Sequence, residues 1–103
     1  MDEFIYIFGK EDWSHIEKIL STLPSVIRQN VKDWILEVYY NENLKNYPKN
    51  VLTDTFIDTI THNRFSVDVD ASKMHFLKHF FKLIWLTNLE LSKKNTNRII
   101  YTG

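Results

Sequence analysis

The chain of 103 residues contains no cysteine, only two glycines (Gly9 and Gly103) and only two prolines (Pro24 and Pro48). Each scarcity removes a class of protein. Small secreted domains usually rely on disulfides, so a cysteine-free chain points to a reducing compartment, and the expected location is the cytoplasm. Phosphate-cradling loops are built on several closely spaced glycines, so a nucleotide-dependent enzyme is not expected. No basic-then-apolar leader opens the chain, and Lys or Asp interrupts every apolar stretch before membrane-spanning length, so no membrane partner is expected. Acid is scarce in the last third, where Glu90 stands alone against Lys73, Lys78, Lys82, Lys93, Lys94 and Arg98.

The composition is otherwise rich in large apolar side chains. Hydrophobic residues make up 44% and aromatics 15%, including three Trp, five Tyr and seven Phe. Rings carry large buried areas, so one domain spanning 1–103 has enough material for a core. The net charge is zero but unevenly distributed: residues 1–70 hold 12 acids and 7 bases, and the remainder is positive. Such asymmetry is either offered to a partner or neutralised by pairing the two halves within the fold. The frequent Asn, Ile and Lys suit an AT-rich microbial genome.

Periodicity gives an α+β class, mainly α, with about four helices. Phe4-Ile5-Tyr6-Ile7-Phe8 is β-prone and ends at Gly9, which predicts a short strand. Trp13, Ile16, Leu20 and Leu23 succeed it at helical spacing behind the acidic pair Glu11-Asp12. Pro24 opens a second helix to about Asn41, with Ile27, Val31, Trp34, Ile35 and Val38 on its apolar face. A third helix after Pro48 turns Leu52, Phe56 and Ile60 inward and Asp54 and Asp58 outward. Residues 63–70 alternate Phe65, Val67 and Val69 with polar side chains, a strand pattern, and Asp70 or Ser72 is placed to cap the last helix. That helix, about Ala71 to Lys94, is apolar on more than one side, which predicts a long central element covered by several neighbours. Arg98 to Thr102 reads as a third strand, giving a small strand element beside the helices.

Catalytic constellations are missing. There is no cysteine nucleophile and no GxSxG elbow. His15, His62, Glu37 and Asp68 could pair only if folding brings them together. His75 and His79 stand four apart, a spacing that suits two ligands of one metal, but Phe76 breaks HExxH and no third ligand is evident. Counting Asp68 as the first position of a calcium loop puts Lys73 and His79 where Gly and Glu belong. No catalytic residue, cofactor or metal is therefore expected.

Binding is the remaining class. On the second helix Gln29, Asp33, Glu37 and Tyr40 fall opposite the apolar stripe, and Glu42 extends the row. Tyr39 and Tyr40 are adjacent, so at most one faces the core. Acids beside tyrosine make good interface material, since Tyr supplies area and a hydroxyl at low entropic cost. The expected partner-binding patch is Asp33, Glu37, Tyr40 and Glu42, and its partner a basic protein such as a nuclease; the plainer reading is a solvated helix face. The alternative is a small helical nucleic-acid-binding regulator using Lys78, Lys82, Lys93 and Lys94, although a neutral chain lacks the usual excess of positive charge.

In size, in its lack of catalytic motifs and in its acidic-aromatic helix surface, the chain resembles bacterial toxin-immunity proteins of the contact-dependent growth-inhibition type. That resemblance implies a non-catalytic inhibitor that occludes a cognate toxin domain. The segment from Tyr39 to Leu44 is also similar to one in ribonuclease inhibitors of the barstar kind. The chain departs from them at Lys45 and Lys49 and by an additional helix ahead of the tyrosine pair, so neither their fold nor their binding residues are carried over.

Overall fold

A computed structural model describes residues 2–62 and 71–102, with side chains for 2–62 and 72–94. Five α-helices run in order among these residues: α1 (Glu3–Phe8), α2 (Lys10–Leu20), α3 (Ser25–Asn41), α4 (Lys49–Thr61) and α5 (Met74–Thr102). Single 3-10 turns at Leu44–Asn46 and Ala71–Lys73 lead into α4 and α5. The mainly α expectation holds, and the small strand element is not seen among the described residues. The strand expected over 63–70 lies outside them.

The amino-terminal strand is corrected to a helix. Asp2 accepts a hydrogen bond from the Phe4 N–H at 2.9 Å, which caps the first turn. Gly9 ends α1 by donating its N–H to the Ile5 carbonyl at 2.8 Å, and it opens α2 by accepting from the Trp13 N–H at 2.9 Å. Its φ of +99° and ψ of 154° lie where side-chain-bearing residues are strained, so one glycine makes a corner between two helices without a loop. Helical winding then puts Ile7 and Phe8 in the core and stacks Phe4 on Trp13 at 4.3 Å between ring centres. The β preference of Phe, Ile and Tyr reflects how they pack on a pleated surface, and packing on α2 and α4 overrides it here.

The middle helices obey their sequence pattern. Trp13, Ile16, Leu20 and Leu23 are buried, as are Ile27, Val31, Trp34, Ile35 and Val38, while Asp54 and Asp58 lie outside on α4. Arg28 of α3 reaches back to the end of α2, donating from Nε to the Leu20 carbonyl at 3.2 Å and from Nη2 to the Leu23 carbonyl at 3.1 Å. The cation complements the negative end of α2, adding a second donor to the Leu20 carbonyl that already accepts from the Leu23 N–H at 3.0 Å.

The core closes on α4 and α5. Phe8, Phe56, Phe81 and Trp85 are all buried, and Phe56 meets Phe81 and Trp85 edge-on at 5.9 and 5.4 Å. A threonine ladder runs beside the rings. Trp85 donates its indole N–H to Thr55 Oγ1 at 3.0 Å, while that hydroxyl lies 2.7 Å from the Val51 carbonyl, to which it donates. One turn on, Asn88 Nδ2 donates to Thr59 Oγ1 at 3.0 Å.

Two expectations for the last helix are corrected. The carboxy-terminal strand is a continuation of α5, which runs unbroken to Thr102. Nor is the helix covered all round: Phe81, Trp85 and Leu89 are fully buried, whereas Phe76, Leu83 and Leu91 are 70%, 51% and 51% exposed. Among the described residues, α3 and α4 pack on the same side of α5, which therefore buries a single stripe.

Replacing Thr55 by valine keeps the shape but strands the buried indole N–H. The expected cost is about 1–3 kcal/mol, read as a lowered midpoint with unchanged slope in urea unfolding.

Candidate protein-binding face

The outer face of α3 is set by its start and its stripe. Pro24, with φ of −54° and ψ of 144°, delivers the chain into the helix at Ser25, and the buried row from Ile27 to Val38 turns Asp33, Glu37 and Tyr40 to solvent. Glu42 is exposed just past the helix end. Tyr39 is buried and Tyr40 is 55% exposed, so the adjacent pair divides between core and surface.

The four expected residues are all on the surface, but they do not form one row of available groups. Glu37 Oε1 pairs with Lys78 Nζ of α5 at 2.8 Å. Glu42 Oε2 pairs with Lys82 Nζ at 3.4 Å. The opposite charges of the two parts of the chain therefore meet, in part, across the α3–α5 seam. Both pairs are well solvated, so they orient the helices more than they stabilise them. Tyr40 turns the other way and donates its hydroxyl to Glu3 Oε2 of α1 at 2.7 Å.

That contact identifies the residues the sequence pattern missed. Asp2, Glu3, Tyr6 and Tyr40 line an open groove of about 310 Å³. It adjoins a second groove of about 210 Å³, lined by Tyr6, Tyr39, Tyr40, Asn43 and Lys45. The two share Tyr6 and Tyr40, and Tyr6 is 54% exposed. The result is a tyrosine-walled trough with acids at one end and a lysine at the other. Asn43, in the left-handed region at φ of 55°, turns the chain at its rim. Helical spacing on α1 would have set Tyr6 beside Glu3, three residues apart, had the segment been read as a helix.

The carboxylate changes the chemistry of Tyr40. Its phenol is held above the ordinary tyrosine range, chiefly because the hydroxyl bonds to Glu3, with burial and the nearby negative charge adding to it. Tyr39 is raised mainly by burial.

A separate cleft of about 200 Å³ between α3 and α5 is lined by Glu37, Val38, Asn41, His75, Lys78, His79 and Lys82. His75 and His79 share it, but no set of three His, Cys, Asp or Glu groups able to hold a metal occurs among the described residues. His15 and His62 are exposed, and Asp68 lies outside the described residues. Further along α5, Lys93 Nζ stands 3.8 Å from Glu90 and 4.9 Å over the Tyr47 ring, and Tyr47 donates to Glu90 at 3.3 Å. Three of the four lysines expected of a nucleic-acid face are therefore set against carboxylates of this chain. No helix among the described residues is long and apolar enough to cross a membrane.

Comparison of the chain with protein-family models, curated proteins and solved structures finds no match.

Spectrophotometric titration should show two tyrosines, Tyr39 and Tyr40, ionising above the free-tyrosine range, and Glu3→Gln should move Tyr40 down. Because the folded value of Tyr40 is raised, the contribution of the contact to stability is complete below the unfolded value of about 10. It is lost as pH rises through the folded value.

Proposed function

We propose that the chain is a non-catalytic protein-binding inhibitor, an immunity protein that acts in the cytoplasm of a bacterium and neutralises a cognate toxin by occlusion. The observation that carries this reading is the trough beside α3: two half-exposed tyrosines, Tyr6 and Tyr40, flanked by Asp2 and Glu3. Exposed tyrosine beside carboxylate supplies apolar area, a hydroxyl and negative potential together, the composition that favours a basic protein partner such as a nuclease domain. Asp33, Glu37, Tyr40 and Glu42 contribute to the contact, and Glu3 and Tyr6 join them.

The pairs across the α3–α5 seam bear on how such a face would work. Glu37 and Glu42 are already held by Lys78 and Lys82, so their side chains are oriented before any partner arrives. A partner that contacts them loses less freedom on binding. The same pairs bear on both readings alike: Lys78 and Lys82 would have to leave a carboxylate to engage a phosphate, and Glu37 and Glu42 would have to leave a lysine to engage a basic protein.

Affinity capture of the tagged chain from its native cells, with nuclease treatment and moderate salt, should retain a stoichiometric protein whose activity the chain suppresses. Glu37→Lys combined with Tyr40→Ala should weaken that complex at least about tenfold in calorimetry, the loss expected for a central tyrosine and a reversed charge. Unchanged affinity in the double variant, or capture of nucleic acid that is lost as salt rises, would contradict the assignment.

A further inference from the structure

We propose that the outer face of α5 is a self-association surface, on which two copies of the chain pair weakly with their last helices antiparallel.

Phe76, Phe80, Leu83, Thr87 and Leu91 recur along α5 at intervals of four, three, four and four. That spacing makes one row, about 22 Å long at the helical rise. The row stands opposite Phe81, Trp85 and Leu89, the side on which α3 and α4 pack. The helix therefore carries two apolar stripes, and the described body of the chain covers one of them. Phe76, Leu83 and Leu91 are at least half exposed, and Phe80 is 37% exposed. Phe76 and Phe80 stack, with ring centres 6.4 Å apart and planes within 7°. The amino-terminal half of the row thus presents one broad ring surface. A second stripe at this spacing is the pattern of a helix that packs on both sides.

Area and self-complementarity point to a second copy. The exposed parts of these side chains amount to roughly 400 Å² per copy, a size at which an apolar patch is often a contact site. Two copies together cover about 800 Å², and the flanking Thr87 and the stems of Lys73 and Lys94 bring the total toward the ~1,200 Å² at which specific pairing begins. The pairing is therefore weak, with a dissociation constant on the order of tens of micromolar. A two-fold contact uses every residue of the patch twice. Centred between Leu83 and Ile84, the antiparallel arrangement sets Phe76 against Leu91 and Phe80 against Thr87, large against small. It also brings Glu90 to the same edge as His79 of the other copy, about 3 Å away along the axis. A parallel arrangement would set Lys73, Glu90 and Lys94 each against its own copy, which repels. The one like pair left in the antiparallel form, Lys73 with Lys94, lies at the solvated ends of the row, where salt screens it.

The test is sedimentation velocity of the purified chain from about 5 to 500 µM. A reversible monomer–dimer equilibrium is expected. Phe76→Glu and Leu83→Glu should each weaken it at least about tenfold, because both place a charge inside the contact. Both side chains are exposed in the single chain, so its helical circular dichroism should not change. Val26→Glu, at an exposed apolar residue of α3, should leave the dimer intact. Because the chain has no cysteine, a spin label on Lys94→Cys reports orientation without background. Mixed with unlabelled chain, it should broaden amide signals of the second copy near Lys73 and not near Lys94. A chain that stays monomeric at 500 µM leaves the face to another occupant and overturns the proposal. So does a dimer that both glutamate variants leave unchanged, and broadening centred on Lys94 overturns the antiparallel pairing. The measurement needs no partner, so its result is independent of the inhibitor assignment.

Discussion

The structure depends on how α4 holds the buried face of α5. Trp85 is a large residue with one donor, and burying it in a helical core is tolerable only if that donor is satisfied. Thr55 supplies the acceptor and donates its own hydroxyl hydrogen bond to the Val51 carbonyl, so a small side chain resolves both polarities. Phe56, on the same helix, fills the space between Trp85 and Phe81, and Phe8 closes the cluster from α1. The position of α1 is fixed by that seam, and with it the trough, since Tyr6 and Glu3 lie on the side of α1 away from Phe8.

Much of the helical body is written in the apolar spacing. α2, α3 and α4 show their buried stripes at intervals of three and four, and Pro24 and Pro48 mark where two of them begin. The sorting of Tyr39 inward and Tyr40 outward comes from the same period. The amino-terminal segment was illegible for a specific reason: five large apolar and aromatic residues in a row satisfy a strand and a buried helix equally, and the deciding groups, the Asp2 cap and the Gly9 corner, lie just outside the run. The carboxy-terminal Ile99-Ile100-Tyr101 is similarly ambiguous, and helix continuity from Leu89 onward decides it.

The candidate face was half legible. Its α3 members could be placed because they lie opposite an apolar stripe. Their partners could not, because Glu37–Lys78, Glu42–Lys82 and Tyr40–Glu3 each join residues about 40 positions apart. No local pattern encodes such pairings. The charge asymmetry along the chain was the one available signal for the two ion pairs, and its plainer reading, neutralisation within the fold, accounts for them. The outer side of α5 was misread for the opposite reason. A continuous apolar pattern suggested burial by neighbours, whereas the described helices cover only the stripe through Phe81, Trp85 and Leu89 and leave Phe76, Leu83 and Leu91 at the surface.

Two surfaces thus compete for a partner's attention: the acidic tyrosine trough between α1 and α3, and the apolar outer side of α5. The proposed function places recognition at the trough. Amide hydrogen exchange of the chain, alone and in complex with the protein it captures, separates the two most directly. New protection is predicted in α1 and in the last two turns of α3, around Tyr6 and Tyr40. Protection confined to α5 around Phe76, Leu83 and Leu91, with α1 and α3 unchanged, would contradict it.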